Sequence, residues 1–115
     1  MEPLLLSVHD YQRAAHGKLR KEILDYFEGG ALDEITLREN TAGWERLKLY
    51  YHVLAGIPER NLRTTILGQS ISLPIGVAPT AFHKLANETG EVATARAAKK
   101  AGTLFVLSSL SSTPM

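Results

Sequence analysis

The sequence lacks cysteine altogether, has a single tryptophan, and is poor in aromatic residues, which make up 7% of its 115 positions. Without thiols there are no disulfide bonds, no thiolate metal site and no cysteine nucleophile, and this composition fits a reducing compartment. Blocks of like charge are missing, and the lysines and arginines do not alternate with aromatic residues as a nucleic-acid groove requires. The opening stretch MEPLLLSVHD has three consecutive leucines with no basic residue before them, so it resembles neither a signal peptide nor a membrane span. We therefore expect a cytoplasmic protein without a nucleic-acid partner or a membrane segment.

The residues that are present describe an ordinary globular composition. Hydrophobic residues make up 44% of the chain and charged residues 22%, and the formal net charge is +1. The four histidines, at positions 9, 16, 52 and 83, do not have the spacing of metal ligands and no second ligand type clusters with them. We expect them to be surface or packing residues, and we expect no metal site.

The amino-terminal half has the pattern of three helices. Ser7 and Asp10 have the spacing of an N-terminal cap, and the apolar residues that follow fall on one helical face as far as Gly17. A second helix is predicted over about residues 18–28 and ends at the Gly29-Gly30 pair. A third is predicted over about residues 33–46, with Leu37 and Trp44 as anchors.

The second half changes to a β-rich pattern. Residues 62–72 predict a hairpin with its turn at Gly68-Gln69. Ile75–Ala78 and Thr103–Leu107 are apolar enough to be parallel strands that are buried on both faces, and the alanine-rich segment 88–101 predicts a helix between them. Ser111–Met115 has the pattern of the start of another helix.

A strand, a helix and a second strand form a βαβ unit, which belongs to a parallel sheet. Two parallel strands cannot make that sheet alone, because their outer edges stay unpaired and their faces stay partly uncovered. We therefore expect an α/β protein whose sheet is incomplete in this chain.

A series of short motifs resembles the amino-terminal part of one family, the FMN-dependent 2-hydroxy acid oxidases and dehydrogenases. Members of that family include glycolate oxidase, lactate oxidase and the flavin domain of flavocytochrome b2. The resemblance covers the chain from about Val8 to Ser112, and the motifs are specific as a series rather than one by one. In order they are Asp25-Tyr26-Phe27 before the glycine pair, Thr36-Leu37, Asn40, Thr65-Ile66-Leu67-Gly68, Leu73-Pro74-Ile75, Ala78-Pro79-Thr80-Ala81, Gly90-Glu91, Ala93-Thr94-Ala95-Arg96-Ala97-Ala98, Ala101-Gly102-Thr103 and Leu107-Ser108-Ser109.

The fold that this resemblance implies is a TIM (β/α)8 barrel preceded by helices and a hairpin. Such a barrel needs about 250 residues. The chain would then hold an amino-terminal helical leader, residues 1–62, and a truncated FMN-binding part, residues 63–115, with the hairpin and the first two barrel strands.

The resemblance also implies a cofactor site for FMN. Pro79, Thr80 and Ala81 would lie against the flavin ring and offer backbone contacts, and Ser108 would hydrogen-bond to the flavin from the next strand. These residue types suit the task, because proline ends a strand without an unpaired N–H and a small alanine lets the backbone approach a flat ring. From the residues alone, a strand-closing turn and a helix cap are the alternatives.

Two further residues would contact the substrate by the same resemblance. The Tyr26 hydroxyl would hydrogen-bond to the carboxylate of a 2-hydroxy acid, although an apolar helix face also suits a core tyrosine. Leu110 stands where glycolate oxidases tend to carry tryptophan, which favours lactate or larger substrates over glycolate; an ordinary core leucine is the alternative. His83 and Lys84 would lie near the cofactor without acting on it.

The implied reaction is the oxidation of a 2-hydroxy acid to a 2-oxo acid, with a histidine as base and flavin as oxidant. In the family that histidine and the arginine that holds the substrate carboxylate come from later strands, so we expect no catalytic residue before Met115 and no activity from this chain alone. The complete protein is expected to be a homo-oligomer, a tetramer or larger, and its electron acceptor is open. The alternatives are a non-catalytic module that binds a partner through an exposed sheet edge, and a related FMN barrel isomerase.

Overall fold

The computed structural model describes residues 4–56 and 58–114, which form two compact units, Met1–Val53 and Leu54–Met115. The predicted division into residues 1–62 and 63–115 stays a prediction.

The first unit contains three helices: α1 (Val8–His16), α2 (Lys21–Glu28) and α3 (Ile35–Glu45). The predicted cap of α1 is confirmed as a reciprocal pair, since the Asp10 N–H donates to Ser7 Oγ over 3.3 Å and the Ser7 N–H donates to Asp10 Oδ2 over 2.8 Å. Helix α1 also contacts α2 through its side chains, because Gln12 Nε2 donates to Glu28 Oε1 over 2.9 Å.

Helix α2 begins three residues later than the sequence pattern indicates. The N–H groups of Lys18 and Leu19 both donate to the Ala15 carbonyl, so these residues close the turn after α1. Arg20 is extended and precedes the first helical residue. Gly29 ends the helix in an extended conformation, with φ −72° and ψ 148°, rather than in the left-handed one that glycine permits.

Of the two predicted anchors of α3, one packs against a neighbouring residue and the other does not. Leu37 packs against the backbone at Gly30, where a Cβ would lie 3.1 Å from the Leu37 Cβ. Trp44 is 75% exposed, so the prediction that it anchors α3 is wrong for the described residues. An indole on an apolar helical position is buried only if a second surface covers it, and no described surface does.

The second unit opens with the predicted hairpin, whose strands are β1 (Thr64–Ile66) and β2 (Gln69–Ile71). The pair is antiparallel and Thr64 lies opposite Ile71. The turn is Leu67-Gly68, one residue earlier than predicted, and both residues have positive φ, 50° and 77°, as a type I′ turn requires.

The two predicted parallel strands meet at one point only. Val77 and Phe105 form an isolated parallel bridge, in which the Val77 N–H donates to the Leu104 carbonyl over 2.8 Å and the Val106 N–H donates to the Val77 carbonyl over 3.0 Å. The expectation that both segments are buried on both faces is wrong here, since Ile75 is 66% and Val106 44% exposed. Each segment has a single neighbour in the described residues, and a parallel ladder becomes regular when strands flank it on both sides.

Helix α4 (Gly90–Ala101) connects these two segments and completes the predicted βαβ order. It starts after a turn at Asn87, whose side-chain oxygen accepts from the Thr89 N–H over 3.0 Å, and it ends at Gly102 in the left-handed conformation. Ala98 on α4 and Ile71 on β2 are the buried apolar residues of the described chain, each 4% exposed.

The helix predicted from Ser111 is not formed over residues 111–114, and Met115 lies outside the described residues. The Ser111 hydroxyl donates to the Thr113 carbonyl over 2.6 Å, which folds this segment into a bend instead. No helix in the part of the chain that the structure describes is long and apolar enough to cross a membrane.

Candidate functional site

The turn at Pro79-Thr80-Ala81 follows the first parallel segment. The residues just after this turn are hydrogen-bonded to residues 110–112, which follow the second parallel segment. Pro79 and Thr80 are exposed, and the chain then enters a left-handed residue, Phe82, with φ 54°. The Phe82 N–H donates to the Leu110 carbonyl over 3.1 Å. Two residues further on, the Lys84 N–H donates to Ser112 Oγ over 3.0 Å. The carboxyl ends of the two parallel segments therefore lie side by side, as in any βαβ unit.

Ser108 stands in the second of these segments. Its hydroxyl oxygen accepts from the Leu110 N–H over 3.1 Å, and its carbonyl accepts from the Ser111 N–H over the same distance. The hydroxyl proton is not used in that turn, so Ser108 keeps a donor for a ligand. The Leu110 side chain is 57% exposed.

Glu91, on the first turn of α4, joins the two segments through its carboxylate. It is 2% exposed and is the one buried charged residue in the described ranges. Oε1 accepts from the His83 N–H over 3.1 Å, from the Ser112 N–H over 2.7 Å and from the Ser112 hydroxyl over 2.8 Å. Oε2 accepts from the Thr113 hydroxyl over 2.8 Å. These residues, His83, Glu91, Ser112 and Thr113, are called the Glu91 cluster below.

The cluster keeps its carboxylate ionised. Burial by itself raises the pKa of Glu91, but the Ser112 N–H, the backbone N–H of Glu91 and the hydroxyls of Ser112 and Thr113 outweigh it. The pKa of this carboxyl is therefore held far below its ordinary value of 4.5.

Sequence reasoning missed the Glu91 cluster. An acidic residue in the first turn of a helix is usually a solvated partner of the helix dipole, and nothing local distinguishes Glu91 from that case. The available signal was the row of hydroxyl residues from Ser111 to Thr113, but only the tertiary structure shows which carboxylate that row faces.

His83 and Lys84 lie between the turn and α4. The His83 ring packs edge-on to Phe105, with centroids 6.2 Å apart, and Nδ1 is 3.1 Å from Thr94 Oγ1. Nε2 is buried and has no hydrogen-bond partner among the described residues. The Lys84 stem crosses Gly90, where a Cβ would lie 2.7 Å from the Lys84 Cγ. Packing thus accounts for both residues, and the predicted nearness to a cofactor stays a prediction.

The turn has the features that a flat, hydrogen-bonding ring such as flavin needs. The backbone N–H groups of Thr80 and Ala81 donate to no described residue, and these N–H groups together with the Ser108 hydroxyl form a set of neutral donors. Ala81 is small enough to leave the backbone accessible. The residues present therefore fit the flavin that the sequence motifs imply. In residues 4–56 and 58–114 no three metal-ligating side chains come together.

Tyr26 belongs to the first unit and lies in the last turn of α2. Half of its surface is exposed, and its ring meets that of Phe27 edge-on with centroids 5.3 Å apart. Its predicted contact with a substrate carboxylate stays a prediction.

Comparison with known proteins defines the family. The model of the FMN-dependent dehydrogenase family matches residues 15–115, and the chain belongs to that family. It is 44% identical over 109 residues to human 2-hydroxyacid oxidase 1, covering 95% of this chain and 30% of that protein. It is 46% identical over 106 residues to L-lactate oxidase from Nostoc sp., covering 92% and 29%. With glycolate oxidase from Spinacia oleracea the identity is 44% over 105 residues, covering 91% and 28%. The chain thus spans about three tenths of the length of the curated relatives it matches.

Solved structures agree with the family and with the fold. An (S)-mandelate dehydrogenase superimposes with a TM-score of 0.88 at 35% identity, over 96% of this chain and 31% of that one. A mandelate oxidase carrying a monooxide FMN adduct superimposes with a TM-score of 0.84 at 34% identity, over 92% and 33%. The expected fold, an α/β barrel that is incomplete in this chain, is confirmed, as is the dependence of the family on FMN.

Proposed function

We propose that this chain is the amino-terminal part of an FMN-dependent enzyme that oxidises a 2-hydroxy acid to a 2-oxo acid. The observation that carries the proposal is the turn Pro79-Thr80-Ala81 beside Ser108, a set of small residues and neutral donors at the carboxyl ends of two parallel segments. Barrel enzymes of this kind bind their ligands at that end of the strands. Family membership and the names of the relatives support the same reaction.

Four residues of this chain would hold the cofactor in this proposal. The N–H groups of Thr80 and Ala81 donate to the flavin ring, Pro79 starts the turn, and the Ser108 hydroxyl donates from the neighbouring segment. FMN, when bound, takes up the two electrons that leave the substrate. Donors that are already in place would stabilise negative charge on the ring, since they need not reorient.

The substrate contacts within this chain are proposed for two side chains. The Tyr26 hydroxyl donates to the substrate carboxylate, and Leu110 limits the room for the substituent on the reacting carbon. We propose a lactate-like or larger 2-hydroxy acid as substrate, because leucine leaves more room than the tryptophan of glycolate oxidases. The relatives include an L-lactate oxidase and several glycolate oxidases, and the structural neighbours are named for mandelate.

The base and the arginine that holds the carboxylate are proposed to lie beyond Met115. The 115-residue chain is therefore proposed to be inactive by itself. We propose that the complete protein is a homo-oligomer, a tetramer or larger, in the cytoplasm.

The test is the intact mass of the protein purified from its source, together with its visible absorption spectrum. We expect a mass several times 12.6 kDa, one flavin per chain, and bleaching of the flavin when lactate is added without oxygen. Bleaching reports the oxidation of the substrate directly, so the unknown electron acceptor does not matter. A flavoprotein whose flavin no 2-hydroxy acid reduces would favour the isomerase alternative. A colourless protein of about 12.6 kDa would favour the partner-binding module.

A further inference from the structure

The Glu91 cluster has no role in the function proposed so far, although it holds the one buried charged residue in the described ranges. It contains a buried carboxylate with hydrogen bonds from two separate segments, one at His83 and one at Ser112-Thr113. A buried charge is kept only where such bonds replace the lost water, so removing either side leaves an unpaired polar group. Both segments continue from residues that are proposed to contact flavin: His83 comes two residues after Ala81, and Ser112 comes four after Ser108.

The bonds are arranged so that the two segments cannot shift separately. The Ser112 hydroxyl accepts from the Lys84 N–H and donates to Glu91. These two hydrogen bonds connect the turn, the second segment and α4. A direct backbone bond, Phe82 N–H to the Leu110 carbonyl, lies on the same side. The parallel segments themselves share a single bridge, so these bonds, with the carboxylate of Glu91 at their centre, are further links between the turn and the second segment.

We propose that Glu91 is a positioning residue that holds the two flavin-contacting segments at the spacing the flavin ring needs. The inference rests on the proposed function, because it assigns the cluster to the site at Pro79–Ala81 and Ser108. Glu91 contacts neither flavin nor substrate in this proposal. It acts through the backbone of His83 and Ser112.

The experiment compares Glu91→Gln with Glu88→Gln in the complete flavoprotein. Both variants remove one negative charge near the start of α4, but Glu88 is exposed and lies outside the cluster. Three quantities are measured. Amide hydrogen exchange at His83 and Ser112 reports the cluster without flavin. The FMN dissociation constant and the visible circular dichroism of the bound flavin report the cofactor site. For Glu91→Gln we expect faster exchange at both amides and an altered circular dichroism spectrum of the flavin at saturating FMN. We also expect FMN binding to weaken about tenfold, which is the effect of losing one charge-assisted hydrogen bond. Glu88→Gln should match the wild type.

A milder pair of variants covers the case in which Glu91→Gln does not fold. Thr113→Val removes one donor to Glu91 Oε2 with little change of shape, and Thr113→Ser restores the hydroxyl. We expect a smaller loss of FMN affinity in the first and recovery in the second. Recovery with serine separates the role of the hydrogen bond from that of packing.

The outcomes distinguish the inference from the proposed function. Faster amide exchange with unchanged FMN affinity and spectrum would overturn the inference and leave the proposed function standing. Unchanged exchange at His83 and Ser112 would overturn it too, because the cluster would then not depend on the carboxylate. A wild-type protein that holds no flavin would overturn the proposed function and with it the inference.

Discussion

At the scale of single residues, the chemistry of the described chain centres on groups whose partners are distant in sequence. Glu91 accepts hydrogen bonds from residues eight positions before it and 21 and 22 positions after it. Ser108 and the Thr80-Ala81 turn are brought together in the same way, by bonds that span the length of α4. Each of these side chains is ordinary by itself, and its role follows from what it faces.

The low pKa of Glu91 makes the cluster sensitive to acid. In the unfolded chain the carboxyl takes up its proton near the ordinary value of 4.5, whereas in the folded state it does so only at lower pH. Its contribution to stability is therefore fully present above that value and is lost as the pH falls towards the folded pKa. We expect the free energy of unfolding of the complete wild-type protein to fall more steeply below about pH 4.5 than that of Glu91→Gln, as measured by denaturant titrations at several pH values. Parallel pH curves for the two proteins would contradict this, and Glu88→Gln controls for the loss of a charge.

Tyr26 provides a test of the proposed substrate contact. In the complete protein, Tyr26→Phe removes one hydrogen bond to a carboxylate, so kcat/KM should fall by about tenfold to a hundredfold while FMN stays bound. Tyr11→Phe is the matched control, since Tyr11 is also an exposed helical tyrosine, 62% exposed on α1. Steady-state kinetics with a single 2-hydroxy acid measures the effect. Equal losses in both variants would remove Tyr26 from the proposed site.

Leu110 provides a test of substrate size. Leu110→Trp places a larger wall at this position, and we expect the ratio of kcat/KM for glycolate to that for lactate to rise by about tenfold, the usual discrimination for a small apolar group. Leu110→Met, which nearly conserves volume, is the control. A ratio that does not change with tryptophan would show that residue 110 does not line the substrate pocket.

At the scale of elements, the features that depend on a few neighbouring residues were predicted best. Local sequence patterns predict three such features: the capping pair Ser7 and Asp10, the glycine that ends α4 and, to within one residue, the two-residue turn of the hairpin. Each depends on interactions within a few residues. Helices α2 and α4 begin later than the sequence predicts, because backbone N–H groups just before them donate to the preceding turn. The parallel strands were predicted as regular and buried, and they form one bridge, because strand regularity depends on neighbours and not on apolar composition.

Gly102 provides a test of how α4 is joined to the rest of the second unit. Gly102→Ala has to adopt φ 69°, and its Cβ would lie 2.8 Å from the Ser72 hydroxyl, which donates to the Ala101 carbonyl over 2.8 Å. We expect a loss of about 1–2 kcal/mol from backbone strain and about 1 kcal/mol more from the displaced hydrogen bond. Gly68→Ala has a similar φ, 77°, with nothing within 4 Å of the new Cβ, so it should show the strain alone. Denaturant unfolding of the complete protein measures both, and equal losses would contradict the contact with Ser72.

At the scale of the whole molecule, far more large apolar side chains are exposed than buried among the described residues. The buried apolar residues among them are Ile71 and Ala98, while large side chains such as Leu49, Leu54 and Tyr50 are more than 90% exposed. A stable domain has to bury enough apolar surface to offset the loss of chain entropy, and these residues do not.

We therefore expect the isolated 115-residue chain to unfold gradually rather than in one cooperative transition, to bind a dye specific for exposed apolar surface, and to hold no stoichiometric FMN. Circular dichroism during heating, dye fluorescence and a flavin spectrum check the three points. The complete protein is the reference and should unfold cooperatively with its flavin. Stoichiometric flavin on a verified monomer of 115 residues would overturn this expectation.

The sequence by itself determined the order of elements, the capping of α1, the hairpin, the βαβ connection and the family, because these depend on local periodicity, on turn residues and on motifs in series. It also named the turn at Pro79–Ala81 and Ser108 as neighbours, since parallel strands in one βαβ unit end on the same side. Only the tertiary structure decided that Glu91 is buried and joins two segments in the Glu91 cluster, that Trp44 is exposed and that the parallel strands meet at a single bridge. Burial and hydrogen bonding depend on which distant residues face each other, and that information is not carried by any short stretch of the chain.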